Sequence, residues 1–104
     1  MVEQVKTTAE FDALLKDNAS VFVDFFATWC GPCKMVGPVV EKVSEKVPGV
    51  KFVKVDVDEL GDVAQRYGIM SIPALFAFKN GVKVDEIVGF VPEPQVLALA
   101  EKAK

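Results

Sequence analysis

The stretch Val21-Phe22-Val23-Asp24-Phe25-Phe26-Ala27-Thr28-Trp29-Cys30-Gly31-Pro32-Cys33-Lys34 decides how this chain folds. It starts as an apolar run with strand character and passes, through the only two cysteines, into a segment of helical spacing. Both alternating sets of the run, Val21-Val23-Phe25 and Phe22-Asp24-Phe26, are mostly apolar, which predicts a strand covered on both faces at the centre of a helix-flanked sheet. A helix opening between Cys30 and Cys33 brings the two thiols onto neighbouring positions of its first turn, within reach of a small disulfide ring. Unpaired backbone N–H groups and the positive end of the helix dipole favour a thiolate there, so the Cys30 pKa is expected to fall. Pro32 suits the first turn, where its missing N–H costs nothing, and Gly31 is expected to permit a tight approach from the strand and leave the sulfur uncovered. No cation stands between the cysteines to stabilise the thiolate, and Gly31-Pro32 therefore points towards a reductant.

Two other uses of the cysteines are weaker. As a structural staple, a four-residue ring contributes only about 2 kcal/mol in the chain-entropy model, against about 4.7 for a 100-residue loop. A structural zinc site needs four ligands, and the chain offers two cysteines and no histidine. A metal or cluster shared between two copies satisfies the ligand count, but Pro32 and the missing flanking ligands argue against it. Redox chemistry is the reading that uses the spacing.

With 104 residues, 51% of them hydrophobic, the chain has enough apolar material for one core, and residues 1–104 are expected to form a single domain. The formal charge is −3 and no basic stripe interleaved with aromatics occurs, so nucleic acid is not an expected partner. The N-terminus lacks a basic region followed by an apolar one, and no apolar run approaches the roughly 20 residues that span a bilayer. The chain reads as soluble and cytoplasmic, a compartment where close cysteine pairs are more often catalytic or metal-binding than structural.

The remaining elements follow from pattern. A short strand is expected near Val2–Val5, then a helix over residues 8–17 opened by a Thr7/Glu10 capping box. From Cys33, the spacing of Val36, Val39, Val40, Val43 and Val47 predicts a helix that stops near Gly49; Pro38 either kinks it or divides it in two. Lys51–Val57 reads as a strand, after which Asp58 caps a short helix running to Tyr67 and ended by Gly68. Asn80-Gly81 between Ala74–Phe78 and Val82–Val88 is a hairpin signal, and Pro94 opens a last helix with Val96, Leu97, Leu99 and Ala100 on its apolar side. The sum is an α/β fold, a five-stranded mixed β-sheet flanked by four α-helices, with Cys30 beyond a strand C-terminus where such sheets bind ligands.

Trp29-Cys30-Gly31-Pro32-Cys33-Lys34, the upstream Val23-Asp24-Phe25, Ile72-Pro73 and Phe78-Lys79-Asn80-Gly81, all in order, resemble the thioredoxin family over essentially the whole chain. The resemblance implies the thioredoxin fold and a general protein-disulfide reductase that works by dithiol–disulfide exchange in cell redox homeostasis. In that scheme Cys30 attacks the target disulfide, Cys33 resolves the mixed disulfide, and a thioredoxin reductase restores the dithiol; the domain needs no cofactor or metal of its own. It further implies a monomer and targets such as ribonucleotide reductase, peroxiredoxin and methionine sulfoxide reductase. A disulfide isomerase or oxidase is the enzymatic alternative on the same scaffold, and a binding subunit that grips partners without turnover is the non-enzymatic one.

Asp24 stands in the middle of the doubly covered strand, where a carboxylate is poorly solvated and its pKa should rise, unless it is locally solvated instead. By resemblance it helps deprotonate Cys33 through water, and Lys54 pairs with it across neighbouring strands, opposing that rise; on its own residue type Lys54 is equally a solvated strand lysine. Sequence alone makes Ile72-Pro73 trans, whereas the resemblance implies a cis bond that turns backbone groups of Ile72 towards an extended target segment. Trp29, Gly31, Pro32, Ile72, Pro73, Gly89 and Phe90 are then the apolar docking surface around Cys30, with Trp29 as a partly open lid rather than a core residue. Phe26, Ala74 and the bulky Phe90-Val91-Pro92 depart from common family residues and bear on partner preference.

Overall fold

Strand β2 (Ser20–Phe26) is the spine of the molecule: Val21, Phe22, Val23, Asp24 and Phe25 are all buried, as a strand sandwiched between helices requires. A computed structural model, describing residues 1–104, places it in the middle of a five-stranded sheet of order β1-β3-β2-β4-β5. The other strands are β1 (Glu3–Gln4), β3 (Lys51–Asp56), β4 (Ala74–Lys79) and β5 (Val82–Val88). β3 runs parallel to both β1 and β2, whereas β4 is antiparallel to β2 and to β5, so the sheet is mixed.

The helices are α1 (Thr8–Asp17), α2 (Gly31–Lys46), α3 (Gly61–Arg66) and α4 (Glu93–Lys102). The period-2 geometry of the strands sends alternate side chains to opposite faces. On one face Val21, Val23, Phe25, Phe76 and Phe78 pack with Phe11 and Leu15 of α1 and Val63 of α3. On the other, Phe22, Phe52, Leu75 and Ala77 pack with Val36, Val40 and Val43 of α2 and Val96, Leu99 and Ala100 of α4. No helix is long and apolar enough to cross a membrane.

Several local expectations need correction. β1 covers only Glu3–Gln4, although the Val5 N–H still donates to the Lys54 carbonyl at 2.9 Å. α2 continues through Pro38 as one element of 16 residues rather than dividing, and it ends at Lys46, not at Gly49. Val47 leaves helical geometry where Pro48 follows it, since the proline ring disfavours the α region for the residue before it. Asp58 does not cap α3: residues 57–60 form a turn, and the helix starts at Gly61 after Leu60, with no side-chain cap. Gly68 (φ +62°) does terminate that segment.

The hairpin signal holds. Asn80 and Gly81 have φ of 52° and 81°, the left-handed pair a two-residue turn of type I′ demands, and a register shift at Ala77/Phe78 bulges the β4–β5 ladder. At the start of α1, the Thr7 hydroxyl accepts the Glu10 N–H at 3.1 Å. The Glu10 carboxylate reaches one residue beyond the reciprocal partner, accepting from the Lys6 N–H at 2.9 Å. Thr7→Ala is expected to lower unfolding stability by about 1 kcal/mol without changing turnover, checked by urea denaturation. An unchanged midpoint would show that water replaces the cap at no cost.

Candidate active site

Four residues carry the chain from the end of β2 to the helix that holds both sulfurs. Cys30 is the N-cap of α2, and its Sγ accepts the Cys33 N–H at 3.2 Å, the use of an orphan helix donor expected at this position. The two cysteines form a disulfide with Cα atoms 5.3 Å apart. Pro32 lies in the first turn, as its geometry favours. Two expectations are revised. Cys30 is not uncovered: only 4% of it is exposed, because Ala27 and Cys33, together with Phe26, Val57 and Ile72, pack around it. Gly31 is not needed for close approach either, since a Cβ there would meet nothing within 4 Å.

Beside the disulfide, the Ile72-Pro73 bond is cis, and the Ile72 carbonyl oxygen lies 3.8 Å from Cys30 Sγ. The Gly89 N–H donates to the Pro73 carbonyl at 2.8 Å, which fastens the loop after β5 to the proline loop. Phe90 is thereby presented at 44% exposure, and Trp29, on the cysteine side, at 70%. Trp29 is therefore not a core residue. Its indole N–H donates to Asp58 Oδ2 at 2.9 Å. Ile72 is half-buried, Pro73 is buried, and Gly31 and Pro32 are exposed; the Ile72 carbonyl and the Pro73–Gly89 bond bring the proline loop and the loop after β5 to the cysteine end of the sheet.

Behind the disulfide lies a pocket of about 360 Å³ lined by Asp24, Phe26, Ala27, Thr28, Cys33, Lys34, Gly37 and Lys54. Asp24 is 3% exposed, and its Oδ1 has no hydrogen-bond partner. Burial pushes its pKa up to about 7, with the charge of Lys54 acting in the opposite direction. Lys54 is the cross-strand neighbour of Asp24 in the β2–β3 register, but no ion pair joins them within 4.0 Å. Its ammonium sits instead 5.5 Å from the centre of the Phe26 ring. The expected pairing is thus a through-space influence rather than a contact. No group of three or more His, Cys, Asp or Glu residues is arranged to hold a metal ion.

A disulfide capping a helix, next to a cis-proline and in front of a buried aspartate, is the geometry to compare with known proteins. The thioredoxin family model matches residues 2–102. The chain belongs to the thioredoxin family. Thioredoxin-1 of Saccharomyces cerevisiae is 50% identical over 103 residues, covering 99% of this chain and 100% of the relative. Plasmodium falciparum thioredoxin superposes with a TM-score of 0.93 at 41% identity, over 99% of this chain and 100% of that one. A chain solved in a study of the thiol resolving mechanism in yeast mitochondrial 1-Cys peroxiredoxin via glutathione/thioredoxin systems has a TM-score of 0.87 at 34% identity, over 96% and 94% of the two chains. The protein is accordingly a thiol–disulfide oxidoreductase with the thioredoxin fold, and its Cys30–Cys33 pair fits dithiol–disulfide exchange. Disulfide-containing proteins as substrates and recycling by a reductase go with the family.

Two further residues at the site have roles other than those their sequence context suggests. Asp58 was expected to open a helix; it is instead the acceptor for Trp29. Val57, read only as the end of a strand, packs against the cysteines, and its N–H donates to the Phe26 carbonyl at 2.9 Å. Asp56-Val57-Asp58 at a strand end signals only a turn, in which the Asp56 side chain folds back onto the Asp58 N–H, and not the partner of Asp58.

Proposed function

We propose that residues 1–104 work as one general protein-disulfide reductase domain in which Cys30 is the nucleophile, Cys33 the resolving thiol, and Asp24 the acceptor of the Cys33 proton. The single observation behind this reading is the placement of the two sulfurs between an exposed apolar rim and the Asp24 pocket. In the reduced protein, the Cys33 N–H and the first turn of α2 stabilise a Cys30 thiolate. That thiolate attacks one sulfur of a target disulfide, forms a mixed disulfide and expels the other target sulfur as a thiolate. Cys33 gives up its proton towards Asp24, which lines the same pocket, a space roomy enough for an intervening water. The Cys33 thiolate then attacks Cys30 Sγ, closing the Cys30–Cys33 disulfide and releasing the second target thiolate. Two electrons have passed to the target, and its two thiolates take up protons from the protonated Asp24 and from solvent. Lys54 keeps the Asp24 carboxylate accessible near neutral pH by opposing its desolvation.

Trp29, Gly31, Pro32, Ile72, Pro73, Gly89 and Phe90 form the docking surface, where the backbone of Ile72 pairs with an extended target segment. A thioredoxin reductase returns two electrons to the disulfide. Peroxiredoxin is a proposed target in view of the structural neighbour studied in that context. Ribonucleotide reductase and methionine sulfoxide reductase are proposed on family grounds, acting with a cytoplasmic, monomeric protein.

Reductase-coupled turnover tests the reading. With candidate thioredoxin reductases, their electron donor and insulin as the disulfide substrate, continuous donor oxidation is expected only when all components are present. A protein that oxidises reduced test peptides but does not sustain insulin reduction would overturn the reductant assignment.

A further inference from the structure

The turn between β3 and α3 contains a buried charged residue to which the reaction assigns no role. Asp56, the last residue of β3, is 4% exposed. Its Oδ1 accepts two backbone N–H groups, from Asp58 at 2.8 Å and Glu59 at 3.4 Å, and its carbonyl accepts the Leu60 N–H at 2.9 Å. The carboxylate thus ties the amides of residues 58 and 59 from inside while the carbonyl of the same residue ties residue 60, an arrangement in which an aspartate side chain substitutes for backbone partners. The residue it fixes is Asp58, whose own carboxylate accepts the Trp29 indole N–H at 2.9 Å. Asp58 is exposed, and Trp29 is 70% exposed with this one side-chain hydrogen bond. An exposed indole held through an exposed acceptor needs the backbone of that acceptor to be rigid, since mobility would dissipate the bond in side-chain entropy.

We propose that Asp56 is a positioning residue for target capture: by tying the Asp58 and Glu59 amides it holds the Asp58 carboxylate where Trp29 is braced beside Cys30. The consequence rests on the reading of Trp29 as part of the docking surface. Asp56 touches neither sulfur, so its loss should weaken target binding and leave the exchange chemistry intact. The acceptor oxygen is what matters, not the charge. Asparagine keeps an oxygen at the same reach, whereas alanine removes it and glutamate carries it one carbon too far.

The chain has one tryptophan, so indole fluorescence reports on this brace alone. In Asp56→Ala and Asp56→Glu, acrylamide quenching of the reduced protein should rise to the level of Asp58→Ala, with no further rise in the Asp56→Ala/Asp58→Ala double variant. Asp56→Asn should match the wild type. In single-turnover reduction of insulin by the pre-reduced protein, the half-saturating insulin concentration should increase about threefold to tenfold in Asp56→Ala, with the limiting rate unchanged. The rate with a small aromatic disulfide should also be unchanged. Should Asp56→Ala not fold, Asp56→Glu against Asp56→Asn carries the same contrast. Wild-type quenching in folded Asp56→Ala or Asp56→Glu, or Asp56→Asn behaving like alanine, overturns the coupling. Altered quenching with unchanged half-saturation overturns the docking reading beneath it.

Discussion

Replacing Cys30 by serine is expected to lower insulin reduction to the uncatalysed background, a loss of at least about a thousandfold. A hydroxyl at the N-cap of α2 accepts the Cys33 N–H much as the sulfur does, so the helix start and the fold should survive; the four-residue ring contributed only about 2 kcal/mol to begin with. What disappears is the thiolate, because serine is not ionised at neutral pH and forms no disulfide with a target. Cys33→Ser is the informative contrast. It retains the nucleophile and lacks the resolving thiol, so each molecule should capture one target covalently through Cys30 and then stop. Mass spectrometry after mixing with a disulfide protein should find the adduct in Cys33→Ser and none in Cys30→Ser. Adducts in the opposite variant would exchange the two roles, and turnover by Cys30→Ser above a tenth of wild type would remove the nucleophile assignment.

Asp24→Asn should act on stability and on rate, and pH separates the effects. Burial raises the folded-state pKa from 3.8 to about 7, so the folded protein holds a proton that the unfolded chain has already released across that interval. Stability attributable to Asp24 is therefore greatest below about pH 4, declines as pH rises towards 7, and stays at its lowest above it. Asparagine has no such charge to desolvate. The variant should be more stable than wild type at pH 8, by up to about 4 kcal/mol if the whole interval between 3.8 and 7 counts, with the difference vanishing near pH 4. Urea midpoints across this range measure it. Resolution of the mixed disulfide should in turn slow by about tenfold or more and lose its rise through pH 7, as the base that takes the Cys33 proton is absent. Lys54→Met should shift the wild-type rise to higher pH, because Lys54 lowers the Asp24 pKa. Equal stability of Asp24→Asn and wild type at pH 8 would mean that the carboxylate is solvated in the native protein.

Much of this was legible in the sequence, for identifiable reasons. The central strand was readable because apolar residues on both of its alternating sets leave no solvent face, and the hairpin because Asn80-Gly81 supplies two left-handed residues in succession. The two cysteines announced their chemistry through spacing that only a helix start makes useful. Asp24 stood out as a charge inside an apolar run. The isomer at Pro73 was different: residue type favours trans, and only the family resemblance pointed to the cis bond found. Tertiary partnerships were hardest. Nothing local to Asp58 reveals that its carboxylate serves an indole 29 positions earlier rather than a helix three residues on. The burial of Cys30 likewise depends on Val57 and Ile72, which reach it from separate loops. Only the family resemblance put Lys54 beside Asp24, and the β2–β3 register agrees, yet its ammonium sits by the Phe26 ring, a choice made by rotamer and not by strand order.

The bulge at Ala77/Phe78 has a bearing on life at high concentration. A sheet with an open border runs the risk of pairing that border with a second copy of itself. β5 is an outer strand of seven residues with Val82, Val84 and Val88 open to solvent, a stretch that would template sticky ribbons if it were flat and uncharged. The irregularity twists that border, and Lys83, Asp85 and Glu86 punctuate the valines with charges of both signs. The flank of the sheet is thereby kept inhospitable to self-polymerisation.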